Sequence, residues 1–486
     1  MEETLFFYDL ETTGIYPDSD RILQFAGQRT NIDLKPLGEP INYLIQLNED
    51  ILPDPSAILI HGISPQQAKL EGLTEAEFLK IFYEKIAIPK TTFVGFNNIR
   101  FDDEFLRYLN YRNLYDPYAW SYENNSSKWD ILDLARITRA LRPDGINWPV
   151  DKTTGANLNK LELLTKANGL SHESAHDALS DVLATIEVAR MIKSSQPKLY
   201  EYLYRLRLKS NSNKLVSSGS PFVYTSSHYP SSLLHTTVVT KVSDHPNDNC
   251  ILVYDLRYDP TIWLHKSTKE LVESWRYVKD RPVDDSPLPV KTLRLNRCPA
   301  IAPINVLEGD QEALARLSLD MGAVKEHQKI IASEGGNFSK NLFSAVEILN
   351  QKQDERQRNY RRPVDARLYD GFYPDTDKKL LIGIHKDENP EVVRETRKMF
   401  KDKRLQQLCS FYLARNFKKQ LNNDEQSKWD EYLQRRLFGG GDSSQLSVYF
   451  QRISQLAKER TDSRSQVLLE DLKLYGESLV PSYAGE

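Results

Sequence analysis

Phe6-Phe7-Tyr8-Asp9-Leu10-Glu11-Thr12-Thr13-Gly14 decides how the first part of the chain reads. Phe6, Phe7 and Tyr8 favour a pleated strand, and Thr12-Thr13-Gly14 ends the run with turn chemistry. Residues two apart on a strand share a face, with Cα atoms about 6.7 Å apart. Asp9 and Glu11 therefore project from one side of a buried strand. Side by side, two carboxylates repel and lose solvation, so such a pair shares a proton or binds a cation. Oxygen-only ligands suit Mg²⁺ or Mn²⁺. A lone Asp-x-Glu is more often a solvated edge; the aromatic run before this one and the turn after it favour a metal site.

Outward from that strand, residues 1–200 alternate strand and helix patterns, hence α/β. Residues 21–29 and 41–47 read as the next strands, separated by a polar turn at 31–40. Residues 64–71 read as a helix with Ser64 as cap and Pro65 in the first turn, and residues 75–86 as another. The short buried strand at 91–96 leads through Asn97-Asn98 into a helix starting near Phe101. Asp102 then lies in a first helical turn beside a strand end, where a dipole-favouring acid and a metal ligand are both reasonable. Tyr108, Tyr111, Tyr115, Tyr118, Trp120 and Tyr122 interleave with Arg107 and Arg112. Aromatics with Arg stack on bases and hold phosphates, although ordinary packing accounts for part of such a run. Residues 129–134 enter a helix carrying Arg136 and Arg139, with Asp130 and Asp133 as caps or buried hydrogen-bond partners. A helix from 158 ends at Gly169. His176 precedes a helix that begins near Asp177 and carries Asp181 in its second turn, facing back toward Asp9 and Glu11.

The 486 residues suggest about three domains. No apolar run of about 18 residues indicates a membrane span, and Met1-Glu2-Glu3-Thr4 lacks the plan of a signal peptide. Cys250, Cys298 and Cys409 show neither metal spacing nor a disulfide framework, which suits a reducing, cytoplasmic compartment. With a net charge of −4, binding to a polyanion requires a local basic groove.

Asp9-x-Glu11, Phe101-Asp102 and His176-x₄-Asp181 together resemble the DEDD exonuclease superfamily, histidine subclass. Asn97-Asn98-Ile99-Arg100-Phe101-Asp102-Asp103-Glu104, Tyr111-Arg112-Asn113-Leu114-Tyr115-Asp116-Pro117-Tyr118, and Leu141-Arg142-Pro143-Asp144-Gly145-Ile146-Asn147-Trp148-Pro149 look like bacterial exonuclease I. The likeness continues in Asn296-Arg297-Cys298-Pro299, Leu368-Tyr369-Asp370-Gly371-Phe372 and Ala414-Arg415-Asn416-Phe417, so it covers nearly the whole chain. It implies an RNase H-like exonuclease domain (1–200), an SH3-like domain (201–355) and a C-terminal helical domain (360–482) around a groove for single-stranded DNA. The implied activity is processive 3′→5′ degradation of that DNA to 5′-mononucleotides, in DNA repair and recombination, by a monomer. By matching motifs, Asp9, Glu11, Asp102 and Asp181 are metal carboxylates for two Mg²⁺ ions, with Mn²⁺ as a substitute, and His176 is the general base. Glu11, Arg107, Tyr118, Tyr122, Arg136, Arg142, Lys160, Lys209 and Arg297 fall at positions toward the strand or a partner surface. That partner is the acidic tail of a single-stranded-DNA-binding protein, met by basic residues such as Arg142. Two positions depart from the family: Lys160 stands where Arg is usual, losing a bidentate phosphate grip, and Tyr122 where Trp is usual. The rivals are an RNA 3′ exonuclease of the same subclass, which needs only the first domain, and a non-catalytic binding protein, which all five filled catalytic positions disfavour.

In the rest of the chain, residues 210–232 are rich in Ser, Asn and Pro, as in a linker or surface loop. Residues 236–242, 250–256 and 288–295 read as short strands of a small β domain standing apart from the first core. Arg294 and Arg297 on it are candidates for DNA contact. Residues 308–330 return to helical spacing, and 351–362 are a charged linker or exposed helix end. Helical patterns run from 375 nearly to 480, with Gly439-Gly440-Gly441 separating the last two helices.

Overall fold

The computed structural model describes residues 2–172, 176–275, 287–359, 362–385 and 389–480. Residues 173–175 of the segment before His176, 360–361 of the charged run, and 481–482 of the third expected domain lie outside the described residues.

Five strands form the first sheet: β1 (Thr4–Thr12), β2 (Ile22–Thr30), β3 (Ile41–Leu44), β4 (Thr91–Gly95) and β5 (Ser127–Asp130), in the order β3-β2-β1-β4-β5. β1 runs antiparallel to β2 and parallel to β4. Its pairing with β4 stops at Phe7↔Val94, so residues 9–12 continue past the end of β4. That end of a parallel pair is where open α/β sheets leave a crevice. The side-chain alternation of β1 sorts its residues between two cores. Phe6, Tyr8 and Leu10 join Phe25, Phe78, Phe82, Phe93 and Trp120 on one face. Leu5 and Phe7 join the other, against helices Ile131–Leu141 and Ala178–Ser195. Asp9 and Glu11 share parity with Leu5 and Phe7, which aims both carboxylates at the helix carrying Asp181.

The second sheet contains β6 (Phe222–Thr225), β7 (Thr236–Asp244), β8 (Cys250–Asp255), β9 (Val290–Arg294) and β10 (Ala300–Pro303), ordered β10-β6-β7-β8-β9. Neighbouring strands are all antiparallel. Its core is continuous with the first: one apolar cluster runs from Leu5, Val94 and Trp129 through Val188 and Leu203 to Val238, Leu252, Ile301 and Val346. The expectation of a β domain apart from the first core is therefore corrected, because helices Ala178–Ser195 and Pro197–Leu206 are apolar enough to serve both.

Three local expectations also change. Residues 210–232 are not a linker: they hold most of helix Lys209–Val216 and the buried strand β6. Their Ser and Asn content hid a four-residue strand too short to show a period. Trp129 and Asp130 end β5 rather than begin a helix; Asp130 caps the helix that follows by accepting from the Leu132 N–H at 2.9 Å. The last two helices, Gln445–Glu459 and Ser463–Ser478, are joined at 460–462, so the Gly439–441 run precedes both. The charged run continues helix Gly336–Asn359 to its end.

The C-terminal helices pack on the first sheet's flank. Leu446, Ile453 and Leu472 meet Leu23 and Ile58, while Leu405, Leu408, Cys409 and Tyr412 form one buried stripe. Arg21 and Arg415 both reach Asp365, at 2.8 and 2.6 Å, and Arg415 also reaches Asp50 at 2.7 Å. Among the described residues no helix is long and apolar enough to cross a membrane.

Candidate active site

Asp9, Glu11 and Asp181 offer carboxylate oxygens that all lie within 4.8 Å of one another. β1 supplies the first two. Asp181 comes from the first turn of helix Ala178–Ser195, whose N-terminus is capped by Asp177 through the Ser180 N–H at 3.0 Å. Asp102 opens helix Asp102–Arg112 beside the end of β4. The turn before it is tight: a Cβ on Gly95 would stand 2.7 Å from the Asn98 Cβ, and Asn97 takes φ +71°. The Asp103 N–H closes the turn on the Asn98 carbonyl at 2.9 Å. Behind this turn the Asp103 carboxylate accepts from the Tyr8 hydroxyl at 2.6 Å and pairs with Lys128 at 2.8 Å, tying β1, β5 and the helix together.

The electrostatics are those of crowded like charges. Burial, then Asp102, Asp181 and Asp177, raise the Asp9 carboxyl far above its usual range. Burial and Asp9 push Glu11 up to about 9. Asp102 is raised by burial first, with Asp103, Asp130 and Glu11 adding to it. Asp181 is raised by burial, against an opposing hydrogen bond from His172. Asp9, Glu11 and Asp181, held this close with Asp102 acting on Asp9 and Glu11 from the neighbouring helix, fit a divalent ion, and their all-oxygen donor set fits a hard one.

His172 Nε2 lies 2.5 Å from Asp181 Oδ1, while its Nδ1 lies 3.2 Å from the Thr165 hydroxyl. His176 is exposed, takes φ +67°, and is near enough for its backbone and charge to act on Asp181. The two imidazoles are four residues apart, and the helix spacing that pointed to His176 carried no signal for His172. His61 was also not foreseen. Burial lowers its pKa to about 4, against the Thr12 carbonyl 3.3 Å away, and the charges of His176 and Arg464 lower it further.

The expected strand-binding residues divide. Arg107, Tyr118 and Arg297 line one cavity of about 1020 Å³ with Arg294. The Arg107 guanidinium sits 5.5 Å from the Tyr118 ring centre. Lys352, Arg356, His245 and Tyr369 line it as well and were not foreseen; Lys352 and Arg356 lie in the charged run. Five of the lining side chains are Lys or Arg against one Asp, which makes this the local basic groove that an acidic chain needs to hold a polyanion. The others lie elsewhere. Arg136 pairs with Asp133 at 2.9 Å. Arg142 reaches Asp310 at 3.1 Å and the Val306 carbonyl at 3.0 Å, bridging to the second half of the chain. Lys209 donates to Asn249. Lys160 is exposed, 3.7 Å from Glu162. Tyr122 is 59% exposed on the surface.

A half-buried carboxylate centre at a sheet's open end, on the same helix and strand framework as a basic groove, suits hydrolysis of a phosphodiester. A family model described as Exonuclease matches residues 6–189, and the chain is a divalent-metal-dependent hydrolytic exonuclease. Two further models match in sequence, the Exonuclease I SH3-like domain at 207–345 and the Exonuclease I C-terminal domain at 362–479. The chain belongs to the exodeoxyribonuclease I family. It is 36% identical to exodeoxyribonuclease I of Escherichia coli K12, covering 99% of this chain and 98% of the relative. With the Haemophilus influenzae enzyme it shares 37% identity over 98% of this chain and 99% of that one. Among solved structures, exonuclease I from Methylocaldum szegediense superposes with a TM-score of 0.90 at 38% identity, covering 99% and 100% of the two chains. E. coli exonuclease I in complex with a dA16 oligonucleotide gives 0.90 at 34%, with the same coverage. A zinc-ion-bound E. coli exonuclease I–single-stranded-DNA complex and an SSB/exonuclease I structure with the inhibitor CFAM are also similar, at 0.89 and 0.87.

Proposed function

We propose that this chain removes nucleotides from the 3′ end of single-stranded DNA, releasing 5′-mononucleotides, and that it acts as a monomer in the cytoplasm during DNA repair and recombination. The observation that carries this reading is the convergence of Asp9, Glu11 and Asp181 within 4.8 Å, from a strand and a distant helix. Asp9, Glu11, Asp102 and Asp181 hold Mg²⁺ in this reading, with Mn²⁺ as a substitute. Bound there, such an ion would supply charge neutralisation for the phosphate and a lowered pKa for water. His176, exposed at the rim, takes the proton from the attacking water. His172 orients Asp181 through its 2.5 Å contact. Arg107, Arg297 and Tyr118 hold the strand in the basic groove, while Glu11 and Lys160 meet its terminal nucleotide. Tyr122, Arg136, Lys209 and Arg142 sit outside that cavity and extend the surface toward DNA or toward the acidic tail of a single-strand-binding protein. Units 1–200, 201–355 and 360–482 divide this work into chemistry, channel wall and helical cover.

End-labelled digestion tests the reading: single-stranded DNA blocked at the 5′ end is degraded with Mg²⁺, and the same strand blocked at the 3′ end is not. Degradation from the 5′ end, or equal turnover on matched RNA, overturns it. His176→Ala is expected to keep DNA binding while slowing cleavage by about 10²-fold or more; an unchanged rate removes its role as base.

A further inference from the structure

Glu104 stands two residues after Asp102 on the same helix, at a junction of three distant parts of the chain. Its Oε1 pairs with Arg107 at 2.5 Å and with Arg297 of the β9–β10 turn at 2.9 Å. Its Oε2 accepts from the Tyr369 hydroxyl, ahead of the C-terminal helices. Tyr369 also packs edge-on against Tyr108, with ring centres 6.0 Å apart. Arg107, Arg297 and Tyr369 line the large basic cavity. Among the described residues the Arg107 Nε is buried without a hydrogen-bond partner.

A carboxylate here is a puzzle for phosphate binding alone. It offsets part of the positive charge of a groove lined by Arg107, Arg294, Arg297, Lys352 and Arg356, whose use, in the reading above, is to hold a polyanion. What it adds is geometry: two guanidinia from different parts of the fold are fixed on one acceptor, and a phenol from a third part closes on the other oxygen. We propose that Glu104 is a positioning residue that joins the three walls of the channel, so that the strand stays enclosed between successive cuts. This rests on the single-stranded-DNA exonuclease reading and assigns the residue on which retention of a long strand depends.

The test compares wild type, Glu104→Gln and Tyr369→Phe on a 5′-labelled 60-nucleotide strand with an excess of unlabelled trap DNA, and on a trinucleotide too short to fill the channel. Glu104→Gln is expected to shorten the run before dissociation about tenfold, as lost charge-assisted bonds would. Its KM on the long strand rises while kcat on the trinucleotide stays within about twofold, since only an enclosed strand needs the junction. Tyr369→Phe, which deletes one hydroxyl and leaves every charge in place, shortens the run in the same direction by about threefold. Thermal melting reports whether each variant is folded. The proposal is overturned if Glu104→Gln binds long DNA more tightly with an undiminished run, which makes the carboxylate a mere counter-charge. It is overturned equally if kcat falls alike on both substrates, which places the effect at Asp102, or if Tyr369→Phe leaves the run unchanged. A wild-type protein inactive on single-stranded DNA removes the parent reading instead, and this one with it.

Discussion

Two clusters of acidic side chains in this molecule behave in opposite ways. In one, Asp9, Glu11, Asp102 and Asp181 crowd one another with the His172 imidazole against Asp181 alone among the described residues, and every member is raised, burial first. In the other, Asp50 and Asp365 are more deeply buried, but Arg415 and Arg21 against them outweigh burial and lower both. The first cluster is left short of positive charge and invites an ion from solution. The second is neutralised within the protein and joins the C-terminal helices to the first sheet. Burial alone thus says little about function; whether the opposite charge is supplied by the chain decides between a ligand site and a structural tie.

Asp9→Ala should break the first cluster most visibly. Turnover is expected to fall by about 10³-fold, the scale seen when a principal electrostatic group is removed, while melting in chelator is unchanged or raised, because like-charge crowding is relieved. Activity assays and melting curves with and without Mg²⁺ check both halves; Mg²⁺ should raise the melting temperature of wild type more than that of the variant. Asp365→Ala should show the reverse pattern, losing about 3–5 kcal/mol of stability because Arg21 and Arg415 are left buried and unpaired. Urea unfolding measures it, and a loss below about 1 kcal/mol would show that the tie is dispensable.

Acid should separate the clusters next. Asp50 and Asp365 have folded pKa values below those of the unfolded chain, so their contribution is complete above the unfolded value of about 3.9 and is lost as pH falls through the lowered values. His385 adds a slope at higher pH. Burial in its stack with Tyr115 lowers it to about 4, so the unfolded chain takes up a proton first and stability declines as pH drops from about 6.5 to about 4. Melting against pH should show both limbs, with the lower one flattened in Asp365→Asn. The smallest effect is expected at Lys160, whose side chain is 69% exposed in its pair with Glu162. Lys160→Arg should leave stability within about 0.5 kcal/mol and lower KM on short oligonucleotides by about twofold, through a bidentate grip on phosphate.

Much of the first cluster was legible in the chain. Asp9 and Glu11 declare their shared face by strand parity, and Asp177-x₃-Asp181 declares a capped helix with an acid one turn in. Phe101-Asp102 after Asn97-Asn98 declares a turn into another helix. His172 was not legible, because a histidine in a connecting segment has no period to place it. Nor were β5, β6 and β10, four-residue strands that gain their identity from the neighbours they pair with.

By itself the sequence determined on which faces of their own strands and helices Asp9, Glu11 and Asp181 stand, because parity and helical pitch are local properties of the backbone. Only the tertiary structure decided which charges meet. Arg21 finds Asp365 across 344 positions, Arg297 finds Glu104 across 193, and the second sheet shares the first sheet's core rather than having one of its own. Those pairings follow from how whole elements pack, and no local pattern encodes the distance between two side chains on different elements.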